Sequence, residues 1–257
     1  MKIWHVSGAG NDFVAMDARG LSLDFAALAK AYCARLGADG FLALDDSHNA
    51  DFRLHFYNAD GSRGEMCGNG ARCICMMARL LGVAEDAMTV ETDAGMVYGW
   101  YLGGDRYRVQ LNLPRLVDLH RLEHTAYVEL GDPGIPHGVV FLDRLDYSKK
   151  EQLRSRAEQL RYDPAFPKGI NVNFCMRLTE SSVRLLTYER GVEDYTLACG
   201  TGSGSVAVVL WHLGQLPSGT LEVENPGGLL SVTIKGTDAI EAIYLEGLAE
   251  ILGEYEI

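Results

Sequence analysis

The spacing of apolar and polar residues changes twice along this chain in the same order. Segments 51–58 (DFRLHFYN) and 182–189 (SVRLLTYE) read as strands. Each leads to Cys-Gly-x-Gly and then to an apolar run of helical type that ends in Leu-Gly, CGNGARCICMMARLLG (67–82) and CGTGSGSVAVVLWHLG (199–214). Downstream, 90–111 and 223–245 both read as hairpins, with Gly-Gly-Asp or Gly-Thr-Asp between β-rich runs. Upstream, GAGNDFVAMD (8–17) lies over GIPHGVVFLD (134–143), and peripheral helices are expected over LDFAALAKAYCARLG (23–37) and KKEQLRSRAEQL (149–160). The elements recur with an offset of about 130 residues, so this is a duplicated domain rather than a solenoid, whose period would be roughly 20 to 50 residues.

The class expected is α+β. The boundaries predicted are a first domain over 1–115, joined by a C-terminal strand at about 247–257, and a second over 116–246. A linker is expected near Pro114 to Leu119.

Composition narrows the function. A chain of 257 residues with 47% hydrophobic content can bury a large core. Its net charge of -12, with no offsetting cluster of Lys and Arg, argues against nucleic acid or an anionic membrane as partner, and a small soluble substrate fits better. The N-terminus MKIWHVSGAGND turns polar and Gly-rich after a few residues, so it has no apolar h-region, and no later stretch reaches about 18 uninterrupted apolar residues; the expected location is the cytosol. The six cysteines are spread through an ordinary globular composition, which predicts reduced thiols. Cys33, Cys73, Cys75 and Cys175 lie on apolar patterns and are read as core. Cys67, Cys73 and Cys75 lack the paired spacing of a zinc site, and no metal is expected.

The duplicated motif carries the candidate chemistry. In each copy a cysteine ends a strand and is followed by Gly-x-Gly and a helix, so the unpaired N–H groups of the first turn should point toward the thiol. Two such sites could hold one ligand carboxylate and set a thiol on either side of its α-carbon, which is what inversion of that carbon needs. Fixed dipoles aimed at the carboxylate would stabilise the carbanion-like transition state. A helix N-terminus contributes typically 0.3 to 1 kcal/mol, and up to about 2, which shifts a thiol by roughly one pKa unit toward neutrality. No lysine beside a Gly-rich turn suggests a pyridoxal site, and no cofactor is expected.

At these residues the sequence resembles the diaminopimelate epimerase family over essentially its full length. The resemblance is carried by GAGNDF (8–13), YNADGSRGEMCGNGAR (57–72), PHGVVF (136–141), INVNF (170–174) and YERGVEDYTLACGTG (188–202). It implies two pseudo-symmetric domains, each a curved sheet around a central helix, with the active site between them and no metal or organic cofactor. The implied activity is two-base epimerisation of L,L-diaminopimelate to the meso form, in lysine and cell-wall precursor biosynthesis. For the L,L substrate it implies Cys199 as proton acceptor and Cys67 as donor, with His137 and Glu189 close to the reacting groups. Substrate contacts are implied for Asn11, Asn58, Gly68, Asn69, Asn171, Glu189, Arg190, Gly200 and Thr201. The partner implied is a small-molecule amino acid, and a homodimer is compatible with the sequence.

Two positions depart from the family pattern. Ile135 stands where an asparagine that binds the far end of the substrate is common, and Gly40 stands where some members carry a substrate-contacting glutamine. The alternatives weighed are a related two-cysteine racemase of another amino acid and a non-catalytic thiol/disulfide switch.

Overall fold

The computed structural model describes residues 1–64, 67–217 and 219–257, so Glu65 and Met66 of the first long motif lie outside the described residues. The chain forms two compact units, Met1–Gln110 with Glu246–Ile257, and Leu111–Leu245.

The first unit runs β1 (Lys2–Gly8), β2 (Asn11–Asp17), α1 (Phe25–Leu36), β3 (Gly40–Asp45), β4 (Phe52–Asn58), β5 (Arg63–Gly64), α2 (Gly68–Leu80), β6 (Ala87–Thr92), β7 (Gly95–Gly103) and β8 (Arg106–Leu111). The second runs β9 (Pro114–Leu122), β10 (Thr125–Leu130), β11 (Ile135–Phe141), α3 (Arg154–Arg161), β12 (Asn171–Thr179), β13 (Ser182–Glu189), β14 (Asp194–Thr196), α4 (Gly200–His212), β15 (Thr220–Asn225), β16 (Gly228–Lys235) and β17 (Ala242–Leu248). The last strand, β18 (Glu250–Glu256), pairs antiparallel with β1.

The duplication is visible ladder by ladder. In the first unit β1–β2 is antiparallel, β2–β3 parallel, β3–β4 and β4–β5 antiparallel, β4–β6 parallel and β6–β7 antiparallel. In the second unit β10–β11, β11–β12, β12–β13, β13–β14, β13–β15 and β15–β16 repeat that series in the same order and sense. The fold is α+β and sheet-dominated, as the periodicity predicts.

In each unit one helix is enclosed by strands. Within α2 every residue from Gly68 to Ala78 is buried, and α4 is buried from Gly202 to Leu210. A helix covered on all sides is expected to be apolar around most of its circumference, as α4 is apart from Ser203 and Ser205, whereas α2 buries Asn69 and Arg72 on one face. Both helices end at Leu-Gly, where Gly82 (φ 68°) and Gly214 (φ 67°) take the left-handed conformation that a C-terminal cap requires.

The outer helices cover the opposite sheet faces. Asp24 caps α1 by accepting from Ala27 N at 3.0 Å, and Ala29 and Cys33 pack among Ile3, Val14, Met16 and Phe41. In the second unit Ala157 and Leu160 of α3 pack among Val140, Val172, Phe174 and Leu186. No helix among the described residues is long and apolar enough to cross a membrane.

Two sequence expectations are corrected. Residues 114–119, read as a linker, are the first part of β9, which pairs antiparallel with β10 through contacts such as Val117 opposite Val128. Pro114 is tolerated because it is the first residue of that strand. The helix expected over 149–160 is instead a 3₁₀ segment, Tyr147–Leu153, followed by α3. Asp146 accepts from Ser148 N at 3.0 Å, and Lys149 (φ -111°) leaves helical geometry before the α-helix begins.

Candidate functional site

The first unit places Cys67 at the N-cap of α2, half-buried, with extended backbone (φ -133°, ψ 118°). Above it lies the β1–β2 turn, in which Gly8 pairs with Asn11 and both Ala9 (φ 57°) and Gly10 (φ 81°) have positive φ, as a type I′ hairpin needs. Alanine rarely adopts this conformation, and holding it there costs of order 1 kcal/mol or more. The turn delivers Asn11 to the helix: Asn69 Nδ2 donates to Asn11 Oδ1 at 2.6 Å, and Asn11 Nδ2 donates to Asp39 Oδ2 at 3.2 Å. Gly8 permits this approach, since a Cβ there would lie 2.9 Å from Asn69 O and 3.0 Å from Cys73 Sγ.

Asn58 ends β4, exposed, and its Nδ2 donates to Ser62 Oγ at 2.9 Å. Beside it, opposite in the β3–β4 ladder, is Gly40. A Cβ at Gly40 would sit 2.8 Å from both Phe56 Cε2 and Tyr57 O, so a glutamine here would require the β4 backbone to move. The departure from the family at Gly40 therefore belongs to close strand packing next to Asn58.

The second unit places Cys199 at the N-cap of α4, buried, with its Sγ accepting from Gly202 N at 3.3 Å and 3.6 Å from Thr201 Oγ1. Cys67 forms no such side-chain capping bond to its own helix. The two copies thus share a backbone but not a thiol environment.

Around Cys199 a buried polar network has formed that the motif pattern does not reveal. Asn173 Nδ2 lies 3.2 Å from His137 Nδ1 and 3.0 Å from Gly138 O, and Asn173 Oδ1 accepts from Thr187 Oγ1 at 2.9 Å. A Cβ on Gly202 would lie 2.4 Å from Asn173 Oδ1, so the first turn of α4 rests directly on this amide. With the Asn173 amide as donor, His137 Nδ1 is the acceptor and the ring proton sits on Nε2, which is buried and has no hydrogen-bond partner among the described residues. Asn173 lies within INVNF (170–174) but is not singled out there, and Thr187 lies outside the family segments; the sequence hint they share is that both are polar residues inside otherwise apolar strands.

Asn171 is buried and has both ends of its amide engaged. Its Nδ2 donates to Pro136 O at 3.2 Å, and its Oδ1 accepts from Arg190 N at 2.8 Å, so it holds the chain where β13 ends. Glu189 is the last residue of β13 and is half-buried. Arg190 is exposed, with Nη1 donating to Lys168 O at 3.0 Å. Ile135 begins β11 two residues before His137 and so lies on the same face of that strand.

Burial pushes His137 down to about 3, and the positive charge of Arg190 adds to the effect. The ring is therefore neutral in the folded protein, whereas in the unfolded chain it titrates near about 6.5. The unfolded state takes up the proton first, so this contribution is complete above pH about 6.5 and is lost as pH falls, at about 1.4 kcal/mol per pH unit. Between pH 6.5 and 5 the wild type is expected to lose about 2 kcal/mol more than His137→Asn, as read from urea midpoints at the two pH values. Parallel losses in the two proteins would refute a buried neutral His137.

Burial acts in the opposite sense on the remaining thiols, pushing Cys33 up to about 11 and Cys73, Cys75 and Cys175 up to about 12. These four are buried core thiols. Among the described residues no group of three or more His, Cys, Asp or Glu is arranged to hold a metal ion.

This fold is shared by a group of epimerases, racemases and phenazine-biosynthesis proteins. The chain superposes along its whole length on a hydroxyproline epimerase from Agrobacterium vitis (TM-score 0.75, 16% identity, 90% of that chain). It does so also on a phenazine biosynthesis protein of the PhzF family from Bacillus anthracis (TM-score 0.73, 16% identity, 98% of that chain). The particular group is set by sequence: the chain belongs to the diaminopimelate epimerase family, whose model matches residues 3–112 and 131–252. It is 34% identical over 259 residues to the diaminopimelate epimerase of Chlorobaculum tepidum, covering 95% of this chain and 96% of the relative. It is 35% identical over 249 residues to that of Archaeoglobus fulgidus, covering 88% and 87%.

Proposed function

We propose that the protein is an isomerase that epimerises L,L-diaminopimelate to meso-diaminopimelate with Cys67 and Cys199 as proton-transfer groups, without a cofactor. The observation that carries the reading is the duplicated helix with a cysteine at its N-cap position, buried in each unit, in a chain that belongs to this family along its length. Inversion needs one group to remove the α-proton and another to deliver one to the opposite face. The reaction would use one thiol from each unit, Cys199 as acceptor and Cys67 as donor for the L,L substrate.

The first-turn N–H groups of α2 and α4, at Gly68-Asn69 and Gly200-Thr201, would stabilise the charge that accumulates on the carboxylate. Asn11, Asn58, Asn171, Glu189 and Arg190 would bind the ammonium and carboxylate groups. The proton on His137 Nε2 would be available to a ligand oxygen. Ile135 offers only apolar surface, so one contact to the far end of the substrate is missing. Such a hydrogen bond to a charged group is worth about 1.5 to 3 kcal/mol, which weakens binding without abolishing it.

The test is α-proton exchange and inversion in deuterated water with L,L- and meso-diaminopimelate, lysine, glutamate, histidine and proline. Diaminopimelate is expected to have the highest kcat/KM of the panel. Another amino acid ahead by more than tenfold would identify a respecialised racemase, and exchange of none would remove the enzymatic reading.

A further inference from the structure

Arg72 is the largest fully buried side chain among the described residues, with no exposed surface. Its Nη1 reaches Gly68 O at 3.4 Å, and its Nε and Nη2 have no hydrogen-bond partner among the described residues. None of the ion pairs of the described residues includes it. An uncompensated charge in a protein interior costs several kcal/mol. Arg72 also lies one turn inside the N-terminus of α2, where the helix dipole is itself positive. Because a guanidinium does not lose its proton in proteins, a charge so placed calls for a nearby anion.

The groups in electrostatic reach are the thiols of Cys67, Cys73 and Cys75. Cys73 and Cys75 are pushed up to about 12 and stay neutral. The strands packed on α2 present His5 (β1), Asp12 (β2), Asp45 (β3), Arg53, His55 and Tyr57 (β4), and Tyr98 and Tyr101 (β7). Their two carboxylates already face histidines, Asp12 with His5 and Asp45 with His55, each at 3.2 Å; Lys2 and Asp17, on the same strands, pair with Glu254 and Arg19. Among the described residues Cys67 is the remaining candidate.

The second copy of the motif supplies a natural contrast. With CGNGARC (67–73) over CGTGSGS (199–205), Arg72 corresponds to Gly204, where a Cβ would lie 2.7 Å from Leu111 Cδ1. No cation can occupy that place, and Cys199 has instead the bond from Gly202 N.

We infer that Arg72 is a positioning residue for Cys67, its buried guanidinium supplying the positive charge that favours the Cys67 thiolate, and that this makes the two duplicated thiols chemically unequal. Its place in catalysis rests on the proposed proton transfer by Cys67, but its test does not. A nearby cation lowers a thiol below the ordinary value of about 8.5.

The experiment is the pH dependence of iodoacetamide alkylation in the full-length protein without substrate, with each cysteine resolved by peptide mass spectrometry. Wild-type Cys67 is expected to titrate below its ordinary value of about 8.5. Arg72→Met should slow Cys67 alkylation at pH 7 at least tenfold, about one pKa unit, and Arg72→Lys should recover the wild-type rate within threefold. Cys199 should stay within twofold in all three proteins. Loosened packing would speed alkylation, so a merely structural role for Arg72 cannot produce the slowing. An unchanged Cys67 rate in Arg72→Met overturns the inference. So does a wild-type Cys67 that titrates at or above about 8.5, a result that needs no variant if the methionine protein fails to fold. Failure of diaminopimelate to exchange, with the alkylation results as expected, would remove the proposed reaction and leave the Arg72 assignment standing.

Discussion

Replacing either Cys67 or Cys199 by alanine is expected to lower the rate of inversion by about 10² to 10⁴, the usual size of a positioned acid or base contribution. Each loss should be nearly complete by itself, because a single remaining thiol can remove a proton but cannot deliver one to the other face. The two variants should differ in what survives. Cys67→Ala keeps the proposed acceptor for the L,L substrate, so deuterium should still enter at the α-carbon with retained configuration. Cys199→Ala should lose that exchange as well.

Stability is a separate readout: Cys199→Ala gives up the bond from Gly202 N and should lose about 1 kcal/mol. The measurement is α-carbon deuteration by NMR beside a chiral assay of the product, with urea unfolding as the control. Full inversion by either folded alanine variant would end the two-base reading.

Arg190→Ala is expected to reduce kcat/KM for diaminopimelate about 10- to 150-fold, mainly through KM. The argument is geometric. Asn171 Oδ1 holds the Arg190 backbone N–H at 2.8 Å, and the guanidinium spends Nη1 on Lys168 O. The exposed fork would bind a substrate carboxylate, and a charge-assisted hydrogen bond of this type is worth roughly 1.5 to 3 kcal/mol. Arg190→Lys should recover part of the loss, since it keeps the charge without the bidentate geometry. Lysine as a poor substrate provides the control: it lacks the distal carboxylate, so its kcat/KM should change less than threefold. If diaminopimelate turnover stays within threefold of wild type in Arg190→Ala, the carboxylate is held elsewhere.

The α+β class, the duplication and the two cysteine-headed helices follow from the sequence because they rest on local signals. Strand and helix periodicity, a Gly-x-Gly start and a Leu-Gly stop act within about a dozen residues. The duplication doubled those signals, and comparing the copies removed chance matches. Local signals misled where tertiary packing overrides them. The stretch 114–119 looks like a linker until β10 is available to pair with it, and the 149–160 helix starts as a 3₁₀ segment because of the Asp146 cap.

What only the tertiary structure decided is the polar interior. Nothing in the spacing marks Asn173 and Thr187 as the support beneath His137 and Gly202, since they meet through strand register across β11, β12 and β13. Nor does the sequence show that Arg72, the last residue of the segment 57–72, is buried; enclosure of α2 by the strands around it takes that charge out of solvent. The motif can show that two thiols are set alike on two helices. Their difference comes from desolvation and from partners brought together over long sequence separations, which local patterns do not encode.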